Sequence, residues 1–331
     1  MVQNNSEIIE IGGYFGLELP SPSDNYRFNN FLHLNSGRNA MEYLLRQLPQ
    51  KPELVYIPAY TCDAVCTPLD RLKINYKFYR INQEFEIPII PNLKENEYIV
   101  VNNYFGIKDN YVNHLATKLG DHIIIDNAQA LYSPVPDNIK GFYSPRKFVG
   151  VPDGGLATFY SKDNIYLDQS ESWDRALQLF KRIDCNAASG YDIYQKNEEN
   201  LGLQETKYMS KLSETMLRSI KHDEIIAKRR HNYEQLHKEL ANHNKLNLPD
   251  SDSFVCPMVY PFWTNDSTLR KRLIENKIYV ATYWPNVFEW CSPASLEYQF
   301  ARNLIPLPID QRYTSEEMNK IVNIIKSQDK I

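Results

Sequence analysis

Apolar residues recur along this chain in two rhythms, and the alternation between them predicts the architecture. Short apolar runs at Leu54 to Ile57, Tyr76 to Tyr79, Tyr98 to Val101 and Ile123 to Ile125 have the length of strands. Helical spacing separates them. Ala40, Tyr43, Leu44 and Leu48 share one face, a helix-like stretch begins at Asp63, and Tyr111 to Leu119 is amphipathic. Strands alternating with helices in this way predict an α/β fold with a mainly parallel sheet. Ligands collect at the carboxyl ends of such strands, and Asp126 follows Ile123–Ile125 at that edge.

Outside this region the pattern changes. Residues 1–30 are short polar and aromatic pieces with turn signals at Gly12, Gly13, Pro20 and Pro22, expected to form an arm rather than core. Ser210 to Leu240 reads as one long charged helix. The polar stretch from Asn242 to Asp252 contains a proline and marks a boundary, giving a large domain over 1–240 and a small α+β domain over 241–331. The small domain is expected to run strand (Ser253 to Tyr260), helix (Ser267 to Asn276), strand (Ile278 to Ala281) and a last helix from Ser315.

Composition narrows the class. The 331 residues are 43% hydrophobic, enough for two cores, and the net charge of −4 gives no reason to expect nucleic acid or an anionic membrane. No apolar run approaches a membrane span. The start lacks the basic-then-apolar plan of a signal peptide, so a cytoplasmic location is expected. The five cysteines (62, 66, 185, 256 and 291) are scattered, and the Cys62/Cys66 pair has no second pair to complete a zinc site. Reduced thiols are the expectation. The chain has no P-loop, no Gly-x-Gly-x-x-Gly and no identifiable Ser/His/Asp triad.

The candidate chemistry centres on Lys147, inside Ser144-Pro-Arg-Lys-Phe-Val-Gly-Val-Pro-Asp-Gly-Gly155, with Asp126-Asn-Ala-Gln129 upstream. A lysine amine for a carbonyl and a carboxylate for a protonated ring nitrogen are what pyridoxal phosphate (PLP) chemistry requires. Each supporting residue has two readings. Asn35-Ser36-Gly37-Arg38-Asn39 opens a helix, where free N–H groups favour a phosphate and Arg38 could grip it, or where Asn35 or Ser36 simply caps. Asp126 either pairs with the ring nitrogen or caps the next turn. Gln129 could meet a ring hydroxyl. Ser144 could donate to the phosphate or start a turn. Tyr60 stacks on the ring or packs, Tyr104 is a second aromatic candidate, and Cys62 touches the ring or is a structural thiol. Arg146, Trp284, Arg302 and the stretch from Tyr279 to Trp284 either line an acceptor pocket or pack.

Ser36-Gly-Arg-Asn-Ala40, Pro58-Ala-Tyr-Thr61, Asp126-Asn-Ala-Gln129 and Lys147 followed by Asp153-Gly-Gly155 occur in an order that resembles the DegT/DnrJ family of PLP-dependent aminotransferases. The resemblance extends to Met209-Ser-Lys-Leu212, Arg229-Arg230 and Leu304-Ile-Pro-Leu-Pro308, and so spans most of the chain. It implies fold type I, a Schiff-base role for Lys147, Asp126 as pyridinium partner, Gln129 as hydroxyl ligand and Gly37 to Asn39 as part of the phosphate cup. It also implies a homodimer with sites at the subunit interface. The implied reaction moves an amino group from a donor such as glutamate to a nucleotide-linked keto sugar. Two alternatives are a PLP-dependent dehydratase and a catalytically silent scaffold that binds PLP or a sugar nucleotide. The chain departs from the family where Arg38 follows Gly37 in place of Thr or Ser, where Cys62 replaces an aromatic, and where Thr206 replaces the partner-contributed asparagine.

Overall fold

The computed structural model describes residues 11–21, 26–158 and 166–327. Seven strands form one mixed sheet: β1 (Phe31–Leu34), β2 (Leu54–Pro58), β3 (Asn75–Tyr79), β4 (Glu97–Asn102), β5 (Ile123–Asn127), β6 (Lys140–Tyr143) and β7 (Gly155–Thr158). Their order is β1-β7-β6-β5-β4-β2-β3. The five strands from β2 to β6 are mutually parallel, whereas β7 runs antiparallel to both β6 and β1. Every residue of β4, β5 and β6 is buried, as expected of central strands covered on both faces.

Helices supply those covers. The first, α1 (Gly37–Arg46), packs on β6 and β7. With α2 (Cys66–Arg71) it closes one face over Val55, Ile57, Val100 and Ile124. The opposite face carries Ile99, Val101, Ile123 and Ile125, under α3 (Asp109–Leu119) and helices from the second half. The second half holds α4 (Leu177–Asp184) and α5 (Tyr191–Leu203), which supply no residue to that core, and α6 (Lys211–Arg218), α7 (His222–Leu240), α8 (Leu269–Glu275), α9 (Val287–Trp290), α10 (Leu296–Asn303) and α11 (Ser315–Lys326), which do. A second, antiparallel sheet pairs β8 (Val259–Trp263) with β9 (Leu304–Pro308). α11 packs on α7, and the apolar core runs without a break from β5 to Leu307 and Ile321. The α/β class with a mainly parallel sheet is therefore correct.

Three local expectations were not met. The helix expected over 210–240 breaks at Ser219–Lys221 into α6 and α7. His222 is buried there, with its Nε2 3.0 Å from the Leu217 carbonyl and its Nδ1 3.0 Å from the Tyr132 hydroxyl. Those contacts hold the chain in a bend that helix periodicity does not reveal. The strand expected over 253–260 is delayed to Val259, because Val255 and Met258 donate their N–H groups to Asp109 and to the Phe105 carbonyl instead of a ladder. Residues 278–281 form no strand. The Val280 and Ala281 carbonyls accept from Arg270, and the Ile278 N–H is spent on Leu273. The arm is also shorter than expected, since Tyr26 and Phe28 enter the core against His222.

Candidate functional site

Parallel pairing brings the carboxyl ends of β2, β4, β5 and β6 to one edge, and β1, parallel to β6 through β7, delivers the start of α1 to the same edge. Asp126 pairs in register with Asn102 and Phe142, so these side chains point to the α1 face of the sheet. The Asp126 carboxylate is buried and accepts the Ala128 N–H at 2.8 Å. Burial pushes its pKa up, while the Lys147 ammonium and the Ala128 N–H pull it back.

Lys147 ends a short 3-10 turn, Pro145–Lys147, that leaves β6 and is exposed in the single chain. Its charge also reaches Cys62, whose thiol burial drives upward and Lys147 draws down. Asp126 and Cys62 are thus both within electrostatic reach of Lys147. Cys62 is only partly buried, which leaves its sulfur at the site.

The helix start is held from beneath. Ser36 caps α1 by accepting the Asn39 N–H at 3.1 Å, so the capping reading of Ser36 holds. Gly37 lies against β6: a β-carbon there would sit 3.2 Å from Ser144 Cβ and 3.6 Å from Ser144 Oγ. The Ser144 hydroxyl therefore borders the first turn of α1. The Asp153 carboxylate is fully buried and accepts from the Ser210 N–H and hydroxyl, the latter at 2.8 Å. It anchors the Gly154-Gly155 turn to α6 and does not enter the site.

Gln129 is buried, with its Oε1 accepting the Phe105 N–H at 2.9 Å and its Nε2 lacking any partner among the described residues. Asn102 donates to Thr61 Oγ1 at 2.9 Å and leaves its own Oδ1 unpartnered. Asn102 is a site-edge residue that the sequence reading missed. The signal was available, because Asn102 ends an apolar strand just as Asp126 does.

Other candidates lie elsewhere. The Asn39 amide is spent on Asn35 Oδ1 and the Gln204 and Glu205 carbonyls, and its Oδ1 accepts from Arg71. It ties α1 to the 204–205 segment and is no part of a phosphate cup. Tyr60 is 0% exposed, enclosed by Phe85, Tyr104, Trp284 and Phe300, which leaves no ring face for a ligand. Tyr104 is equally buried, its hydroxyl 2.6 Å from the Tyr60 carbonyl. Trp284 belongs to this aromatic core. Arg146 is ion-paired with Glu198 of α5, whereas Arg302 and Tyr279 are exposed. Arg38 points toward Gly202, with Nη1 3.2 Å from the place a β-carbon would take there. Thr206 buries an unpartnered Oγ1.

These residues fit PLP. A buried carboxylate answers a cationic ring nitrogen, an unpartnered amide N–H at Gln129 answers a ring hydroxyl, and Ser144 beside a helix start answers a phosphate. No group of His, Cys, Asp and Glu suited to a metal occurs among the described residues. A separate cavity of about 600 Å³ is lined by Gln169 to Arg175 and Gln204 to Lys207, and contains neither Asp126 nor Lys147.

No protein-family model and no curated protein matches the sequence. Among solved structures the chain is similar to DesV from S. venezuelae, with a TM-score of 0.64 and 16% identity over 91% of this chain and 85% of that one. It is similar to a DegT DnrJ EryC1 StrS aminotransferase from Brucella abortus, with a TM-score of 0.62 and 14% identity over 92% and 87%. The PLP-form of Spr1654 from Streptococcus pneumoniae gives 0.61 and 16% over 91% and 87%. At such identities the likeness establishes the fold, which is that of fold type I aminotransferases.

Proposed function

We propose that this protein is a PLP-dependent sugar aminotransferase of the DegT/DnrJ type, taking an amino group from a donor such as glutamate and giving it to a nucleotide-linked keto sugar. The observation that carries this reading is the buried Asp126 at the carboxyl edge of the sheet, within electrostatic reach of Lys147 on the turn that leaves the neighbouring strand. The shared fold and its sugar aminotransferase neighbours support it.

When bound, PLP supplies a carbonyl for an amine and a ring that takes up the electron pair of a carbon–hydrogen bond. The protein's residues do the rest. Asp126 would hold a proton on the ring nitrogen, the form that draws electrons best. Gln129 Nε2 would donate to the ring hydroxyl, and Ser144 Oγ with the backbone of Gly37 and Arg38 would receive the phosphate. Lys147 Nζ would bind the cofactor covalently and, once released, take the proton from the donor's α-carbon and return it on the acceptor side. Cys62 borders the same space. Residues 1–240 would form the cofactor domain and 241–331 the small domain.

Such chemistry requires a closed site, yet Lys147 is exposed in the single chain. Trp173, Leu177, Phe180 and Ile183 also stand exposed, along α4 and the turn before it. A homodimer acting in the cytoplasm would cover both.

The test is an absorbance spectrum with added PLP, wild type beside Lys147→Ala, followed by glutamate. A long-wavelength band in wild type alone, replaced by the pyridoxamine phosphate spectrum on adding glutamate, is the expected result. No band in either protein would overturn the reading, and a band indifferent to every donor would leave a binding scaffold.

A further inference from the structure

Three arginines gather where α1, α2 and α5 meet, and only one of them lacks a counter-ion. Arg71 pairs with Glu42 and donates to the Gly202 and Gln204 carbonyls. Arg146 pairs with Glu198. Arg38 makes no hydrogen bond and no ion pair among the described residues, and its Nε is sealed from solvent without a partner. Burial lowers its pKa, as expected of a cation removed from water, and Cys62 and the more distant Asp63 and Glu198 offset this only in part.

The position makes this arrangement harder to explain as structure. Arg38 stands in the first turn of α1, where the helix dipole disfavours positive charge and favours an anion. Gly202 opposite has no side chain, and any larger residue would crowd Nη1 at 3.2 Å. Cys62 and Arg38 interact electrostatically, and the charge of Lys147 also reaches the Cys62 thiol. A half-buried, unpaired guanidinium, one residue from the contact of Gly37 with Ser144, is suited to a planar anion that accepts two parallel N–H bonds.

We propose that Arg38 is a specificity-determining residue whose guanidinium binds the anionic end of the small-molecule substrate, a carboxylate or phosphoryl group, at the mouth of the Lys147 site. This rests on the reading of that site as the place of reaction. The phosphate of the cofactor is left to Ser144 and the backbone of α1, and the guanidinium selects what enters.

The experiment is calorimetric titration of PLP-saturated protein with glutarate and, separately, with UDP. It compares wild type, Arg38→Ala and Arg38→Lys, with PLP affinity measured in parallel by absorbance. Arg38→Ala should weaken one of the two anions about tenfold or more. PLP affinity should fall far less than the anion's, because Arg38 would meet the cofactor phosphate only through its backbone, and Arg38→Lys should recover part of the loss, since an ammonium keeps the charge but not the paired N–H groups. A response to glutarate assigns the carboxylate of the amino donor, and a response to UDP assigns the phosphoryl groups of the acceptor. Arg38→Gln repeats the test should the alanine variant not fold. The proposal is overturned if wild type binds neither anion, if both bind equally well without Arg38, or if PLP affinity falls as far as the anion's. Should wild type take up no PLP while anion binding by the ligand-free protein still depends on Arg38, the aminotransferase reading fails and the anion site stands.

Discussion

Gly155 lies directly under Ser36: a β-carbon on Gly155 would sit 2.1 Å from the Ser36 carbonyl oxygen and 2.6 Å from the Gly37 nitrogen. The first residue of β7 thereby sets the height of the α1 start, and with it the position of Gly37 against Ser144. Both contacts are with backbone, which cannot rotate away. Gly155→Ala should therefore cost about 1–3 kcal/mol or more through overpacking and weaken PLP binding at the same time. Urea denaturation and an absorbance titration test the two effects, and a stable variant with normal PLP affinity would contradict the assigned cradle.

Asp126 gives a prediction with a definite sign. Its carboxyl pKa is raised in the folded protein above its ordinary value of 3.8, so the folded state binds this proton more tightly than the unfolded chain. The associated stability is fully present below about pH 3.8 and is lost as pH rises through the folded pKa. At neutral pH the buried carboxylate is a net cost to the ligand-free protein. Asp126→Asn should raise the melting temperature of ligand-free protein at pH 7 to 8, with the gain vanishing toward pH 4, and should weaken PLP binding. Thermal melts across pH, with and without PLP, would show whether stability and binding move in these opposite directions.

His222 predicts an acid limit on stability. Burial lowers its pKa below the ordinary value of 6.5, so the folded state holds fewer protons and stability declines as pH falls below about 6.5 toward the folded pKa. The neutral ring suits both neighbours, because Nε2–H can donate to the Leu217 carbonyl while Nδ1 accepts from the Tyr132 hydroxyl. His33, partly buried and with a lowered pKa, adds in the same direction. His222→Gln keeps a donor and an acceptor but does not titrate, and should flatten part of the decline between about pH 6.5 and 5. Denaturation midpoints over that range measure it.

Glu297 joins the last third of the chain to the strand edge that carries Cys62. It is 1% exposed, accepts the Ile81 N–H at 3.0 Å and pairs with Arg80 at 2.9 Å. The Arg80 side chain is 59% exposed and keeps its hydration when the partner is lost. The cost of Glu297→Ala should then come mainly from the stranded Ile81 N–H, about 1–3 kcal/mol. Arg80→Ala should cost clearly less. Equal losses in the two variants, read from urea midpoints, would assign the energy to the ion pair instead.

Local pattern made much of this molecule legible. The central strands β4 and β5 were visible because each is built on a short unbroken apolar run, and burial on both faces favours that pattern. Asp126 could be selected because a polar residue closing such a run lies at the strand's carboxyl edge, and Lys147 because of the segment from Ser144 to Gly155 around it; the parallel order of β5 and β6 brings the two segments to one edge. Tertiary structure decided what distant partners decide. Asn39 looked like part of an anion site until the 204–205 carbonyls claimed its amide, and Tyr60 looked like a stacking ring until Phe85, Trp284 and Phe300 enclosed it. The break before His222 and the unpaired charge on Arg38 have the same origin. Each depends on which side chains long-range packing brings together, and nothing within a few residues of either position encodes that.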